Sequence, residues 1–117
     1  MNQHVPTGRT LADIDALVTR TAVPHVLLVA APPSDHTTSL WGVDRRTGNA
    51  AFDRALVVDA HHHGWAETDP FTADRERDGS WVPGTSTDGI HPTTAANHAI
   101  AGRFAAAITA AAHTART

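Results

Sequence analysis

The chain has 117 residues, a formal charge of -3 from 9 Arg and no Lys against 12 acidic side chains, 9 His and no Cys. A hydrophobic content of 41% is enough for one small domain with its own core, and the lack of Cys excludes disulfides and thiolate-bound metal. The acidic balance without a basic run excludes the clustered positive charge that nucleic-acid backbones require, and no apolar run approaches the ~20 residues of a membrane span.

The opening Met1-Asn2-Gln3-His4 has neither the basic nor the apolar region of a secretory signal, so a soluble protein of unassigned location is expected. The first predicted element is a helix over residues 10–21. Thr10 is in position to cap it with Asp13 at N3, and Leu11, Ile14, Leu17 and Val18 share one face. Val23-Pro24 ends it, because Pro disfavours helical geometry in the residue before it and has no N–H to continue the ladder.

A strand is predicted over 25–30, where His25-Val26-Leu27-Leu28-Val29-Ala30 is apolar almost throughout, as in parallel strands covered on both faces. Pro32-Pro33-Ser34-Asp35 then reads as a turn and Asn49 to Arg54 as a weak helical stretch. Ala55-Leu56-Val57-Val58-Asp59-Ala60 repeats the strand pattern, so a second strand is predicted over 55–60, parallel to the first through a crossover. Residues 61–90 are predicted as a long loop. The last element is a helix over 94–113 with Ile100, Phe104, Ile108 and Ala111 on one stripe, expected to pack on the sheet.

The sharpest chemical signal is Asp88-Gly89-Ile90-His91-Pro92-Thr93, directly before the last helix, with His98 following inside it. A carboxylate three residues before an imidazole can orient the ring and stabilise its protonated form, which a general base needs. Gly89 lets the backbone turn so that the two meet, and Pro92 stiffens the exit. The competing reading is a turn-capping Asp and a surface His at a helix start.

This constellation resembles the C-terminal portion of the SGNH hydrolases, the GDSL esterase/lipase family, in which an Asp-x-x-His pair precedes the last helix. His98 is similar to the His of a Gly-His pair found in that helix, with Asn97 where Gly is usual. The resemblance implies an α/β fold, a flavodoxin-like three-layer α/β/α sandwich with parallel strands, of which residues 1–117 form the C-terminal half. It implies a serine ester hydrolase in which His91 is the base, Asp88 orients it and a serine forms an acyl-enzyme. No cofactor and no metal are implied. The substrate would be a small-molecule or carbohydrate ester; Pro32-Pro33, Trp41 and Asn49 are similar in succession to the peptidoglycan O-acetyltransferase members. Pro33, Asp59 and the Asp88 loop would emerge at the carboxyl ends of the strands, where ligands gather in such sheets.

The Gly-Asp-Ser motif that carries the family's nucleophile is absent. Ser34, Ser39, Ser80 and Ser86 read as turn or loop hydroxyls. Asn2, one helix ahead of the strand at His25, is similar in position to the Asn of the family's Gly-x-Asn motif, which implies an oxyanion donor. Full activity would therefore need an upstream segment or a second polypeptide. The alternatives are an inactive remnant, self-associating through an unpaired strand edge near residues 25–30, and a metal-binding module built on His61 to His63 and His91. Adjacent side chains diverge, so the His triplet reads as a solvated loop after a strand. Trp41, Trp65 and Trp81 are candidates for a pocket wall, and Arg45-Arg46 reads as a solvated pair.

Overall fold

The computed structural model describes residues 5–38 and 44–115. In chain order they form α1 (Thr7–Thr21), β1 (Leu27–Val29), α2 (Arg45–His63), β2 (Ala66–Thr68), a single 3₁₀ turn at Thr72–Asp74 and α3 (Thr94–Ala115). Asn2, Ser39 and Trp41 lie outside the described residues.

Helix α1 agrees with the sequence but starts a turn earlier. Pro6 precedes it, and Thr10 is an interior residue whose hydroxyl donates back to the Pro6 carbonyl at 3.4 Å instead of capping. Pro suits the entry because the first helical N–H groups have no partner inside the helix. At the other end Ala22 takes up φ +52° and donates to the Val18 carbonyl at 2.9 Å, a left-handed cap.

Strand β1 falls inside the predicted 25–30. The strand predicted over 55–60 does not exist: those residues belong to α2. Asp44 caps this helix by accepting the Thr47 N–H at 3.1 Å, and Gly64 closes it at φ +70°. The β-branched pair Val57-Val58 gives the segment its strand-like look, yet these two side chains are 45% and 70% exposed. Phe52, Leu56 and Ala60, spaced by four, form the helical face that enters the core. Burial of that face outweighs the weak strand preference of two surface valines.

The parallel partner of β1 is instead β2, in the register Leu27 to Ala66, Leu28 to Glu67 and Val29 to Thr68. Helix α2 thus lies in the crossover between the two strands. The predicted loop 61–90 is corrected in the same way: His61 to His63 are the last turn of α2, and β2 and the 3₁₀ turn follow. Among the described residues the sheet has two strands. The architecture is a partial α/β fold.

One core cluster is Leu28, Leu56 and Ala60, backed by Leu11, Ile14, Val26, Phe52 and Trp65, so α1 and α2 cover the sheet. A second joins Trp81, Ala96 and Ile100 with Phe71, which meets Trp81 edge-on at 6.2 Å. It seats the first half of α3 on the segment after β2. Arg103 reinforces it from α3, donating to the Pro70 carbonyl and to the buried Asp74 carboxylate. Further along the predicted stripe, Phe104 and Ile108 are 37% and 47% exposed, so only its beginning is buried. Ile108, Ala107 and Ala111 line an apolar groove with Trp65 and Leu27.

Candidate active site

The loop between β2 and α3 builds its own turn around Asp88. The carboxylate Oδ1 accepts the backbone N–H of Ile90 at 2.8 Å and of His91 at 2.7 Å, while Oδ2 lies 2.7 Å from His91 Nδ1. These bonds, first the His91 N–H, then its ring and then the Ile90 N–H, hold the Asp88 carboxyl well below the usual carboxylate range. With Nδ1 engaged, Nε2 is the ring nitrogen able to act as base. His91 is 77% exposed and Asp88 49%.

Three neighbours fix this turn, and none carried a signal in the sequence strong enough to name it. Ser86 donates to the His91 carbonyl at 2.6 Å and accepts the Gly89 N–H at 3.0 Å, tying the two sides of the loop together. The turn after β1 supplies the others: Asp35 N–H donates to the Gly89 carbonyl at 3.0 Å, and His36 Nε2 lies 3.1 Å from the Asp88 carbonyl. Gly89 is needed twice. Its φ is +77°, and a Cβ there would lie 2.9 Å from Asp35 Cβ.

The turn after β1 is itself anchored to α2 and to the segment beyond β2. Ala31 N–H donates to Asp53 Oδ1 at 2.6 Å, and its carbonyl accepts from Arg75 at 2.8 Å. Arg75 also pairs with Asp53 and Asp69. Burial pushes the Asp53 carboxyl up to about 6, against the pull of the Ala31 N–H and Arg75. Arg46 donates to the Asp35 carbonyl and pairs with Asp78, so it is a crosslink and not the solvated residue expected. Asn49 donates to the Pro32 carbonyl at 3.0 Å. A cavity of about 280 Å³ opens at the carboxyl ends of the strands, lined by Ala30, Asp53, Asp69, Arg75 and Gly79; Asp88 and His91 are not among its walls.

Other candidates fall elsewhere. Asp59, expected at a strand's carboxyl end, sits on α2, four residues before the last helical residue, His63. His61, His62 and His63, expected in a loop, fan around the helix end, since successive residues turn by about 100°. His98 is on an exposed face of α3. Trp81 is buried in the core, and Trp65 stacks on the His63 ring at 4.2 Å. Ser34 and Ser86 serve turns, as expected, and Ser80 bonds Asp78. No helix of the described residues is long and apolar enough to cross a membrane.

No family profile matches the chain. No curated protein matches it either. Among solved structures it is similar to an acylhydrolase-type protein from Bacteroides fragilis, with a TM-score of 0.73 and 18% identity, covering 91% of this chain and 53% of the other. It is also similar to a GDSL-like lipase from Bacteroides thetaiotaomicron, with a TM-score of 0.74 and 15% identity, covering 91% of this chain and 54% of the other. The chain therefore has an SGNH/GDSL-like fold and spans about half the length of these two proteins.

Proposed function

We propose that the chain carries the acid–base part of an SGNH/GDSL-type serine ester hydrolase, with His91 as general base and Asp88 as its orienting carboxylate. The single observation that supports this most is the 2.7 Å contact between His91 Nδ1 and Asp88 Oδ2, set in a turn whose backbone N–H groups keep the carboxylate ionised. An ionised partner at Nδ1 favours the tautomer with its proton there, leaving Nε2 to take a proton from a nucleophile.

The nucleophile is a serine outside these residues, since the chain has no Gly-Asp-Ser and its serines in view are occupied with turns. In the reaction, that serine hydroxyl adds to the ester carbonyl as His91 Nε2 removes its proton. The imidazolium, held by Asp88, then protonates the departing alkoxide, and water releases the acyl group by the same sequence in reverse order. Asn2 takes the oxyanion-donor role on the resemblance alone. The serine-bearing segment would extend the sheet along the edge of β1 that faces away from β2, completing a three-layer sandwich. A small-molecule or carbohydrate ester is the substrate class.

The test is hydrolysis of an activated acetyl ester by this chain expressed in frame with its preceding coding sequence. Acyl release is expected, falling by about 10²–10⁴-fold in His91→Ala, the usual contribution of a general base. Release unchanged by His91→Ala would overturn the assignment, and no release from a folded product containing a Gly-Asp-Ser serine would make the chain a non-catalytic remnant.

A further inference from the structure

At the end of α2 remote from the dyad, three ligating side chains converge from two helices. Asp15 comes from α1; Asp59 and His63, spaced by four, come from the last turns of α2. Their ligand atoms all lie within 4.8 Å of one another. His63 Nε2 is 3.4 Å from Asp15 Oδ2 and 3.6 Å from Asp59 Oδ1.

The two carboxylates share His63 Nε2 as an ion-pair partner, at separations longer than a normal hydrogen bond. Asp15 Oδ1 and Asp59 Oδ2 are both enclosed and have no hydrogen-bond partner among the described residues. With both carboxylates ionised, a protonated His63 balances only one of them, and a bound ion is one of the standard explanations for orphaned buried polar atoms. The His63 ring stacks on Trp65 at 4.2 Å and 14°, which holds its Nε2 toward the two carboxylates.

The separations suit a metal. Ligands bound at about 2.1 Å around a tetrahedral ion stand about 3.4 Å from one another, so the two His63 distances need only minor closure. One imidazole nitrogen with two carboxylate oxygens is a donor set for a divalent transition ion such as zinc, with water in the remaining position. Only the third of the three consecutive histidines belongs to it, which is why spacing along the sequence does not reveal the site.

We propose that Asp15, Asp59 and His63 form a binding site for one divalent transition-metal ion of the zinc class, which pins α1 to the end of α2. The site is independent of the Asp88–His91 pair and stands whether or not the hydrolase reading does.

The experiment is calorimetric titration of the full chain with zinc, repeated with Asp15→Asn, Asp59→Asn and the control His62→Gln, each checked for helical content by circular dichroism. One zinc per chain is expected, weakened at least ~10-fold by either Asn substitution and unchanged in the control. Cobalt(II) would give the visible absorption of a low-coordinate site in the parent chain and lose it in Asp15→Asn, which leaves the histidines in place. No saturable zinc binding by the folded parent chain would overturn the proposal. So would affinity unaltered by Asp15→Asn, or lost in His62→Gln.

Discussion

Asp88 grips His91 through both carboxylate oxygens, Oδ1 on the backbone N–H and Oδ2 on the ring Nδ1, each at 2.7 Å. The same residue thus shapes the turn and orients the imidazole that the turn displays. In Asp88→Asn the amide can offer a donor where the carboxylate accepted, so the neutral ring should shift its proton from Nδ1 to Nε2. Nitrogen NMR of the His91 ring reads this directly; an unchanged tautomer would remove Asp88 as the orienting group.

Replacing Gly89 by Ala should damage the same turn from the backbone side. A left-handed conformation costs a non-glycine residue about 1–2 kcal/mol. The new Cβ would also press on Asp35 Cβ at 2.9 Å, in the turn that holds the loop. The expected outcome in Gly89→Ala is a lower melting temperature and faster amide exchange at His91 and Asp35. Equal exchange in both chains would show that the turn does not depend on this glycine.

Asp53 should titrate far from Asp88. Its carboxyl, ordinarily near 3.8, is pushed up to about 6 by burial, whereas Asp88 is held low by its N–H partners. The folded chain therefore binds the Asp53 proton more tightly than the unfolded chain does. That stabilisation is complete below about pH 3.8 and is lost as the pH rises through 6. Carboxyl-carbon NMR should show the Asp53 midpoint near 6. Urea unfolding should show the parent chain gaining on Asp53→Asn as the pH falls from 7 to 5, and a flat difference would refute the shift. The Asp88 contribution has the opposite sign: it is present at neutral pH and disappears only in strong acid.

Two residues of the misleading apolar run offer a direct test of α2. Leu56 is 2% exposed and Val58 70%. Leu56→Ala should cost about 2–5 kcal/mol, the range for a buried leucine, while Val58→Ala should lie within about 0.5 kcal/mol of the parent. Chemical denaturation of the two variants decides; comparable large losses would fit a strand covered on both faces instead.

How much was legible depended on whether local chemistry was enough. The sequence alone determined α1, β1 and α3, because their apolar spacing and their Pro boundaries act within a few residues. The contact between Asp88 and His91 was legible too, because an Asx-type turn with Gly89 forms its bonds inside a four-residue span. Tertiary structure decided the rest. Whether Ala55 to Ala60 is strand or helix rests on which side chains meet β1, and β2 is too short and too exposed to announce itself before β1 pairs with it. The clamp of Asp53, Asp69 and Arg75 on Ala31 joins groups up to 44 residues apart, and the Asp15, Asp59 and His63 cluster needs two helices side by side. Distances between residues remote in the chain are set by packing, and packing has no local signature.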